Sequence, residues 1–356
     1  GAQSTLRLLP HVLHPQAISG FGISADGRYL ATSCQDGLVR TWDLSASIHD
    51  HGFMKHGGQV TAGRFGPAAH QLVTGSADKT ATLWDLRSQP PHKVHVFEHP
   101  DPLSDCFLNP GTGRLVTIHG SSISIWDLEQ PSAPLFTMKH GAWINDAHLG
   151  PAGMLLATAS KDRTAAIWNL ATGDQVLRLQ NHTTSVRDTD ISPDGRWAVT
   201  AMAHPEDLHS SIVEVWDGET GDRVHPATMI PGVVHSVRFL PATPDDGTPA
   251  RVLTLTGSLT NDPGEARLWD LQTGQAIGQR MAHTDAINYV VISDDGRHLL
   301  TASRDTSARL WSTIDGSPRT PPLKHPSSVL ACDIRSDGHF LVTACTKGTT
   351  HIWDTR

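Results

Sequence analysis

Short runs of alternating hydrophobic and polar residues, separated by turn-forming residues, recur along the whole chain. In one unit, VRDTDIS is followed by the turn PDG, the run RWAVTA, a loop, the run IVEVWD, the turn GETG and DRVH. Alternation with a period of two is typical of strands with one buried face. Glycine accepts the positive φ of tight hairpin turns, as at Asp194-Gly195. Helical periodicity is absent, so the pattern predicts an all-β fold.

Tryptophan marks the period of this pattern. Eight segments such as RTWDL and TLWDL end a candidate third strand, at Trp42, Trp84, Trp126, Trp168, Trp216, Trp269, Trp311 and Trp353. The steps between these tryptophans are 42, 42, 42, 48, 53, 42 and 42 residues. Four strands in a unit of about 40–45 residues are typical of a propeller blade. The copies fill residues 1–356, which predicts a single domain.

The Trp-Asp endings and a histidine placed 28 residues before the tryptophan in five copies resemble the WD40-repeat β-propeller family over the whole chain. The resemblance implies one propeller of eight four-stranded blades, or of seven if one degenerate copy is an insertion. The N-terminal QSTLRLLP aligns with outer strands such as QVLRLQN. It is therefore expected to complete the eighth blade, which closes the ring and removes an exposed edge. Phrases such as TATLWD and RTPPLKH resemble bacterial WD40 proteins, in which a propeller often follows a kinase or NTPase domain.

Composition narrows the class of protein further. The formal net charge is −8 and no Lys/Arg cluster is present, which argues against nucleic acid as the main partner. No apolar run approaches the roughly 20 residues of a membrane helix, so we expect no membrane insertion. The sequence leaves the location of the protein open, with a cytoplasmic one favoured. The four cysteines stand far apart without CxxC spacing, which makes a disulfide framework or a zinc site improbable. No cofactor and no metal are implied.

Three copies combine Ser, His and Asp in a way that imitates a catalytic triad. These sets are His56, Ser76, Asp78 and Trp84; His140, Ser160, Asp162 and Trp168; and His283, Ser303, Asp305 and Trp311. The family resemblance implies a buried chain in which Asp holds His, His holds Ser, and Ser accepts from the indole N–H. An enzyme needs one activated nucleophile beside an oxyanion site rather than three copies of one constellation. We therefore predict a structural network and no catalytic activity.

The family resemblance also implies that partners bind the face around the central opening. The residues three and five places after the repeat histidine, and the residue before the turn Asp, contribute to that face. The larger side chains at these places are Trp143, Asn145, Lys161, Arg187, His235, Asn288, Arg304 and Leu330. Trp and Arg are enriched at the energetic centres of interfaces, and cations beside an indole suit an acidic or phosphorylated peptide. This predicts a monomeric, non-catalytic scaffold that binds a protein or peptide.

Several alternatives stay open from the sequence. Trp143 could pack over its own blade, and the propeller could regulate a kinase or NTPase in a larger bacterial signalling protein. An enzyme could use the central channel, although the aligned inner positions supply only His235. The insertions Met202–Ser211 and Pro241–Glu265 are either docking loops or tolerated loops. His204 and His209 give a weak metal signal.

Overall fold

The strands of the computed structural model agree with the period read from the sequence. The structure describes residues 7–8, 12–13, 16, 18–43, 49–150, 153–241, 251–257, 263–271, 273–293, 295–334, 340–347 and 349–354. Within these ranges the chain forms strands and turns, and no helix there is long and apolar enough to cross a bilayer. The all-β prediction is confirmed.

Eight antiparallel sheets, or blades, follow one another in chain order. Blade 1 contains β3 Ile18–Ile23, β4 Tyr29–Cys34, β5 Leu38–Asp43 and β6 His49–Lys55, and blade 2 contains β7 Val60–Phe65, β8 Gln71–Ser76, β9 Thr80–Asp85 and β10 His92–Glu98. Blade 3 contains β11 Leu103–Leu108, β12 Leu115–His119, β13 Ser122–Trp126 and β14 Phe136–Lys139. Blade 4 contains β15 Ile144–Leu149, β16 Leu155–Ser160, β17 Ala165–Asn169 and β18 Gln175–Leu179. Blade 5 contains β19 Val186–Ile191, β20 Trp197–Ala203, β21 Ser210–Asp217 and β22 Thr228–Pro231. Blade 6 contains β23 Val234–Phe239, β24 Arg251–Thr256, β25 Glu265–Asp270 and β26 Ala276–Ala282. Blade 7 contains β27 Ile287–Ile292, β28 His298–Ser303, β29 Ser307–Ser312 and β30 Leu323–Lys324. Blade 8 contains β31 Val329–Ile334, β32 Phe340–Cys345 and β33 Thr349–Asp354, together with β1 Arg7–Leu8 and β2 Val12–Leu13 from the start of the chain.

The two N-terminal strands close the ring. β1 pairs with β33 through Arg7 opposite Asp354, and β2 pairs with the same strand through Val12 opposite Thr350. The last blade therefore takes its outer strand from the other end of the chain, and its inner strand β31 contacts β3 of blade 1. This confirms both the eight-blade prediction and the predicted closure.

The hydrophobic core lies between neighbouring blades. Phe107 and Val116 of blade 3 pack in one buried cluster with Ile144 and Trp168 of blade 4. Similar clusters occupy the other blade boundaries. Burial raises the pKa of the Cys106 thiol, whose side chain belongs to the cluster between blades 2 and 3. This cysteine therefore acts as a small core residue, as the alternation predicts.

A buried polar chain joins the middle strands of blade 2. His56 Nδ1 lies 3.3 Å from Asp78 Oδ2, and His56 Nε2 lies 2.7 Å from Thr74 Oγ1. The indole N–H of Trp84 donates to the same threonine hydroxyl at 2.8 Å. The arrangement recurs in blade 4 with Asp162, His140, Thr158 and Trp168, and in blade 7 with Asp305, His283, Thr301 and Trp311.

The role predicted for the serines is wrong, because a threonine two residues earlier joins the histidine to the tryptophan. Ser76 instead accepts the N–H of Asp78 and donates to the carbonyl of Gln59, so it holds the turn at the end of β8. Ser160 and Ser303 hold the corresponding turns of blades 4 and 7. The physical reason is the position along the strand, because the threonine lies beside the indole whereas the serine lies at the strand end.

Candidate binding face and central channel

A β-bulge at the same place in each inner strand positions the candidate face. The pairing register of all eight inner strands shifts between the fourth and sixth residues after the repeat histidine, or after the aligned Ile230 in blade 6, as between Ile144 and Asp146. A bulge inserts one extra residue and redirects its side chain. The fifth residue after the histidine is that extra residue, and in four blades it is Asn145, Arg187, His235 or Asn288.

Arg187 and His235 lie side by side at the junction of two surface grooves. One groove of about 420 Å³ is lined by Arg187, His235 and Asn145, and the other, also about 420 Å³, by Arg187, His235 and Arg304. Asn288 also lines the second groove. The structure therefore brings together five of the eight predicted face residues.

Within the described ranges, the Arg187 guanidinium and the Nε2 atom of His235 have no hydrogen-bond partner at this junction. Among the described residues, nothing forms a hydrogen bond or ion pair with the Arg187 guanidinium, and partial burial lowers its pKa. His235 Nε2 is buried and has no hydrogen-bond partner in the described part of the chain. Burial also lowers the pKa of His235, although the Asp188 carboxylate and a hydrogen bond with the Ile287 backbone oppose that shift. A desolvated cation without a carboxylate is the environment in which an anionic ligand group is bound most strongly.

The two asparagines of the face have a second task. The Asn145 amide donates to Ser185 Oγ and to the Val186 carbonyl of blade 5, at 2.9 and 2.6 Å. The Asn288 amide makes the equivalent bonds to Ser328 and Val329 of blade 8. These amides tie neighbouring blades together at the rim, which the sequence did not indicate.

Trp143 stands outside the two grooves. It precedes β15, its side chain is 57% exposed, and Lys161 Nζ lies 6.0 Å from the centre of its ring. An indole that packs over its own blade would be largely covered, so this exposure favours the surface interpretation. Leu330, the bulge residue of blade 8, lines the mouth of the channel instead.

The channel wall carries charges that the sequence analysis missed. The sixth and eighth residues after the histidine face a channel cavity of about 270 Å³, whose lining includes Arg64, Asp105, Asp146 and Tyr289. Arg64 forms a salt bridge with Asp105 at 2.7 Å. The expectation that the inner positions supply only His235 is therefore wrong. The signal was present, because these residues alternate along the inner strand with core residues such as Cys106 and Leu108.

Asp146 belongs to a cluster of four charged groups at the channel wall, together with His148, Asp188 and Arg238. Arg238 Nη1 lies 2.5 Å from Asp188 Oδ2, and His148 Nε2 lies 3.3 Å from Asp146 Oδ1 and 3.4 Å from Asp188 Oδ1. Burial and the nearby Arg238 oppose protonation of His148, but the carboxylates of Asp146 and Asp188 raise its pKa to about 9. Burial alone would raise the pKa of Asp188, but Arg238 and His148 hold it well below its usual range.

The two insertions differ in what the structure describes. In Met202–Ser211, strands β20 and β21 extend to the pair Ala203 and Ser211. His204 Nδ1 accepts the backbone N–H groups of Glu206 and Asp207 at 3.3 and 2.9 Å, so this histidine organises the loop. The weak metal interpretation of His204 and His209 gains no support from these contacts. Much of Pro241–Glu265, namely residues 242–250 and 258–262, lies outside the described residues.

Comparison with known proteins agrees with this architecture. A family model described as "WD domain, G-beta repeat" matches residues 7–43, 48–85, 132–169, 173–217, 274–312 and 319–354. The crystal structure of the computationally designed Ika8 protein superposes with a TM-score of 0.75 at 19% identity, covering 96% of this chain and 97% of the other. At that identity the similarity concerns the fold alone.

Curated relatives are similar at the level of the repeat. The chain is 24% identical to a WD repeat-containing protein 26 homolog of Arabidopsis thaliana over 82% of this chain and 48% of that protein. It is 26% identical to the transcriptional corepressor LEUNIG_HOMOLOG of the same plant, over 62% of this chain and 27% of that protein. It is 27% identical to the nuclear distribution protein PAC1 of Coccidioides posadasii, over 72% and 57%. The chain thus spans roughly a quarter to somewhat more than half of the length of these relatives, all of which are eukaryotic.

Proposed function

Because the chain belongs to the WD40-repeat β-propeller family, we propose that it is a non-catalytic scaffold that binds a protein or peptide at the face around the central channel. The observation that carries this proposal is the unpartnered Arg187 guanidinium at the junction of two grooves. The names of two relatives, a transcriptional corepressor and a nuclear distribution protein, are in keeping with a scaffold.

The chemistry of the junction favours an acidic or phosphorylated peptide. Arg187 and His235 offer donors at the centre, and Arg304 adds a second cation along one groove. A carboxylate or phosphate placed there would form charge-assisted hydrogen bonds with groups that otherwise lack partners. Because a groove leads away on each side, the anionic group fits the middle of a bound segment better than its end. Trp143 and Lys161 supply a further contact surface on the neighbouring blade.

Libraries of ten-residue peptides with a fixed central residue test this proposal. The fixed residue is phosphoserine, phosphothreonine, glutamate or serine, and retention on the immobilised protein is measured. We expect retention of phosphorylated or glutamate peptides, reduced about tenfold or more by Arg187→Gln because a charge-assisted bond is lost. Arg280→Gln, an exposed arginine on β26, is the matched control and should bind like wild type.

The outcomes separate the parts of the proposal. Equal retention by wild type and Arg187→Gln would remove anion recognition from this junction. Retention of serine and glutamate peptides alike, lost only in Trp143→Ala, would keep the scaffold but move its centre to the indole.

Regulation of a larger protein is the second candidate function. The matched segments make up 48% and 27% of two curated relatives, so those proteins contain further sequence beside the matched part. A kinase or NTPase partner in a bacterial protein stays a prediction based on sequence style.

A further inference from the structure

We propose that Asp146, His148 and Asp188 form a binding site for one divalent transition-metal ion in the wall of the central channel. The three candidate ligand atoms, one from each residue, lie within 4.8 Å of one another. His148 Nε2 lies 3.3 and 3.4 Å from the two Oδ1 atoms. Two ligand atoms bound at about 2.1 Å to a tetrahedral ion stand about 3.4 Å apart, so the observed spacing leaves room for the ion between them.

The imidazole nitrogen that points into this group is held only by long contacts. His148 Nε2 is buried, and its two nearest partners, the Oδ1 atoms of Asp146 and Asp188, lie 3.3 and 3.4 Å away without well-aligned hydrogen-bond geometry. These separations are longer than a good hydrogen bond to a charged group and match the spacing of two ligands around one ion. One imidazole nitrogen with two carboxylate oxygens is a donor set suited to Zn²⁺ and its first-row neighbours.

Each of the two carboxylates, Asp146 and Asp188, directs one oxygen toward His148 and the other toward Arg238. The Oδ1 atoms face His148 and accept the backbone N–H groups of Ala147 and Thr189, which fixes their direction. The Oδ2 atoms face Arg238, at 2.5 Å from Asp188 and 3.9 Å from Asp146. When His148 is neutral, as a metal ligand must be, Arg238 balances only one of the two carboxylates, so the Oδ1 side carries a net negative charge that attracts a cation.

The position of the cluster provides access. The His148 side chain is 22% exposed, and Asp146 lines the channel cavity, so an ion can enter from the channel. A fourth position facing the channel would be taken by water or by a group of a bound partner. The competing arrangement is a protonated His148 that completes an ion-pair cluster with both carboxylates. In that case the proton occupies the place of the metal.

Titration of the metal-stripped full chain distinguishes these arrangements. We expect one equivalent of Co²⁺ to give a visible absorption band and one equivalent of Zn²⁺ to bind by calorimetry and to raise Tm. His148→Gln and Asp146→Asn should weaken this binding at least about tenfold, since each removes a ligand. His209→Gln, an exposed histidine outside the cluster, is the control for adventitious binding and should leave the equivalent intact.

Two results would overturn the proposal. One is the absence of a stoichiometric site for either metal. The other is binding that His148→Gln leaves unchanged, which would assign the ion to other histidines of the 22 in the chain. If His148→Gln does not fold, Asp146→Asn alone decides, because its carboxamide keeps the shape of the side chain.

Discussion

At the scale of single residues, the buried repeat histidines differ in what their Nδ1 atoms contact. In blades 2, 4 and 7 this atom lies on the turn aspartate, at 3.3, 3.3 and 2.8 Å. In blades 3, 5 and 8 that aspartate is missing, and Nδ1 of His99, His182 and His325 lies 3.1, 3.2 and 2.8 Å from a backbone carbonyl oxygen. A neutral imidazole satisfies such a carbonyl by donating its N–H.

This difference predicts a pH dependence of stability. Burial lowers the pKa of His99, His182 and His325 to about 4, against about 6.5 in an unfolded chain. The unfolded state therefore holds more protons between pH 4 and 6.5, so the contribution to stability is complete above about pH 6.5 and is lost as the pH falls toward 4. Urea denaturation across this range should show a smaller decline for His99→Gln than for wild type. His92→Gln, an exposed histidine on β10, should follow wild type; parallel curves for all three would contradict the assignment.

The sequence could not decide which hydroxyl completes the buried chain. Thr74 and Ser76 are two residues apart on one strand, so alternation places both on the same face. A threonine at the first of these places is present in every copy, at Thr32, Thr74, Thr117, Thr158, Thr200, Thr254, Thr301 and Thr343. That regularity was the available signal.

At the scale of the strand, the bulge explains why the face was predicted and the channel wall was not. Counting three and five residues from the histidine located Arg187 and His235 correctly, because the extra residue of each bulge falls at the fifth place. The sixth and eighth residues lie beyond the bulge and turn toward the channel. The ion pair between Asp188 and Arg238 joins two neighbouring blades, so it depends on the distance between them. That distance cannot be read from residue spacings within one copy of the repeat.

Two glycines of blade 6 allow the cost of backbone strain to be distinguished from the cost of steric crowding. Gly274 and Gly278 both have positive φ, at 65° and 61°. A Cβ on Gly274 would meet nothing within 4 Å, whereas a Cβ on Gly278 would meet the backbone of Asp315 in blade 7 in a prohibitive clash.

We therefore expect Gly274→Ala to lower the free energy of unfolding by about 1 kcal/mol and Gly278→Ala to lower it by about 2 kcal/mol or more. Urea denaturation of both variants beside wild type measures the difference. Equal losses would show that blades 6 and 7 do not approach each other this closely at β26.

At the scale of the whole molecule, the ring is closed at one place, the pairing of β33 with β1 and β2, which we call the seam. Seven blades take all their strands from one continuous stretch, but blade 8 joins β33 to β1 and β2 from the other end of the chain. The ring could be predicted because a repeat of constant period with a displaced outer strand has few other ways to cover its edge.

Removal of residues 1–13 should therefore open the seam. The deletion leaves the edge of β33 unpaired, and we expect Tm to fall by about 5 °C or more and aggregation to increase. The control is a circular permutant in which residues 1–13 follow Arg356. It returns the same strands to β33 as a hairpin and should recover most of the lost Tm. A deletion variant as stable as wild type would contradict the closure.

The direction of the strands in this seam also determines how the ring responds to mechanical force. Arg7 lies opposite Asp354, and Leu13 lies opposite Thr349 farther along the same pair. Tension applied through residues 7 and 354 therefore acts at one end of the antiparallel pair and breaks its hydrogen bonds in succession, not all together in shear. We therefore expect tension applied at these two residues to open the eighth blade at a smaller force than would be needed if the same strands were pulled in shear.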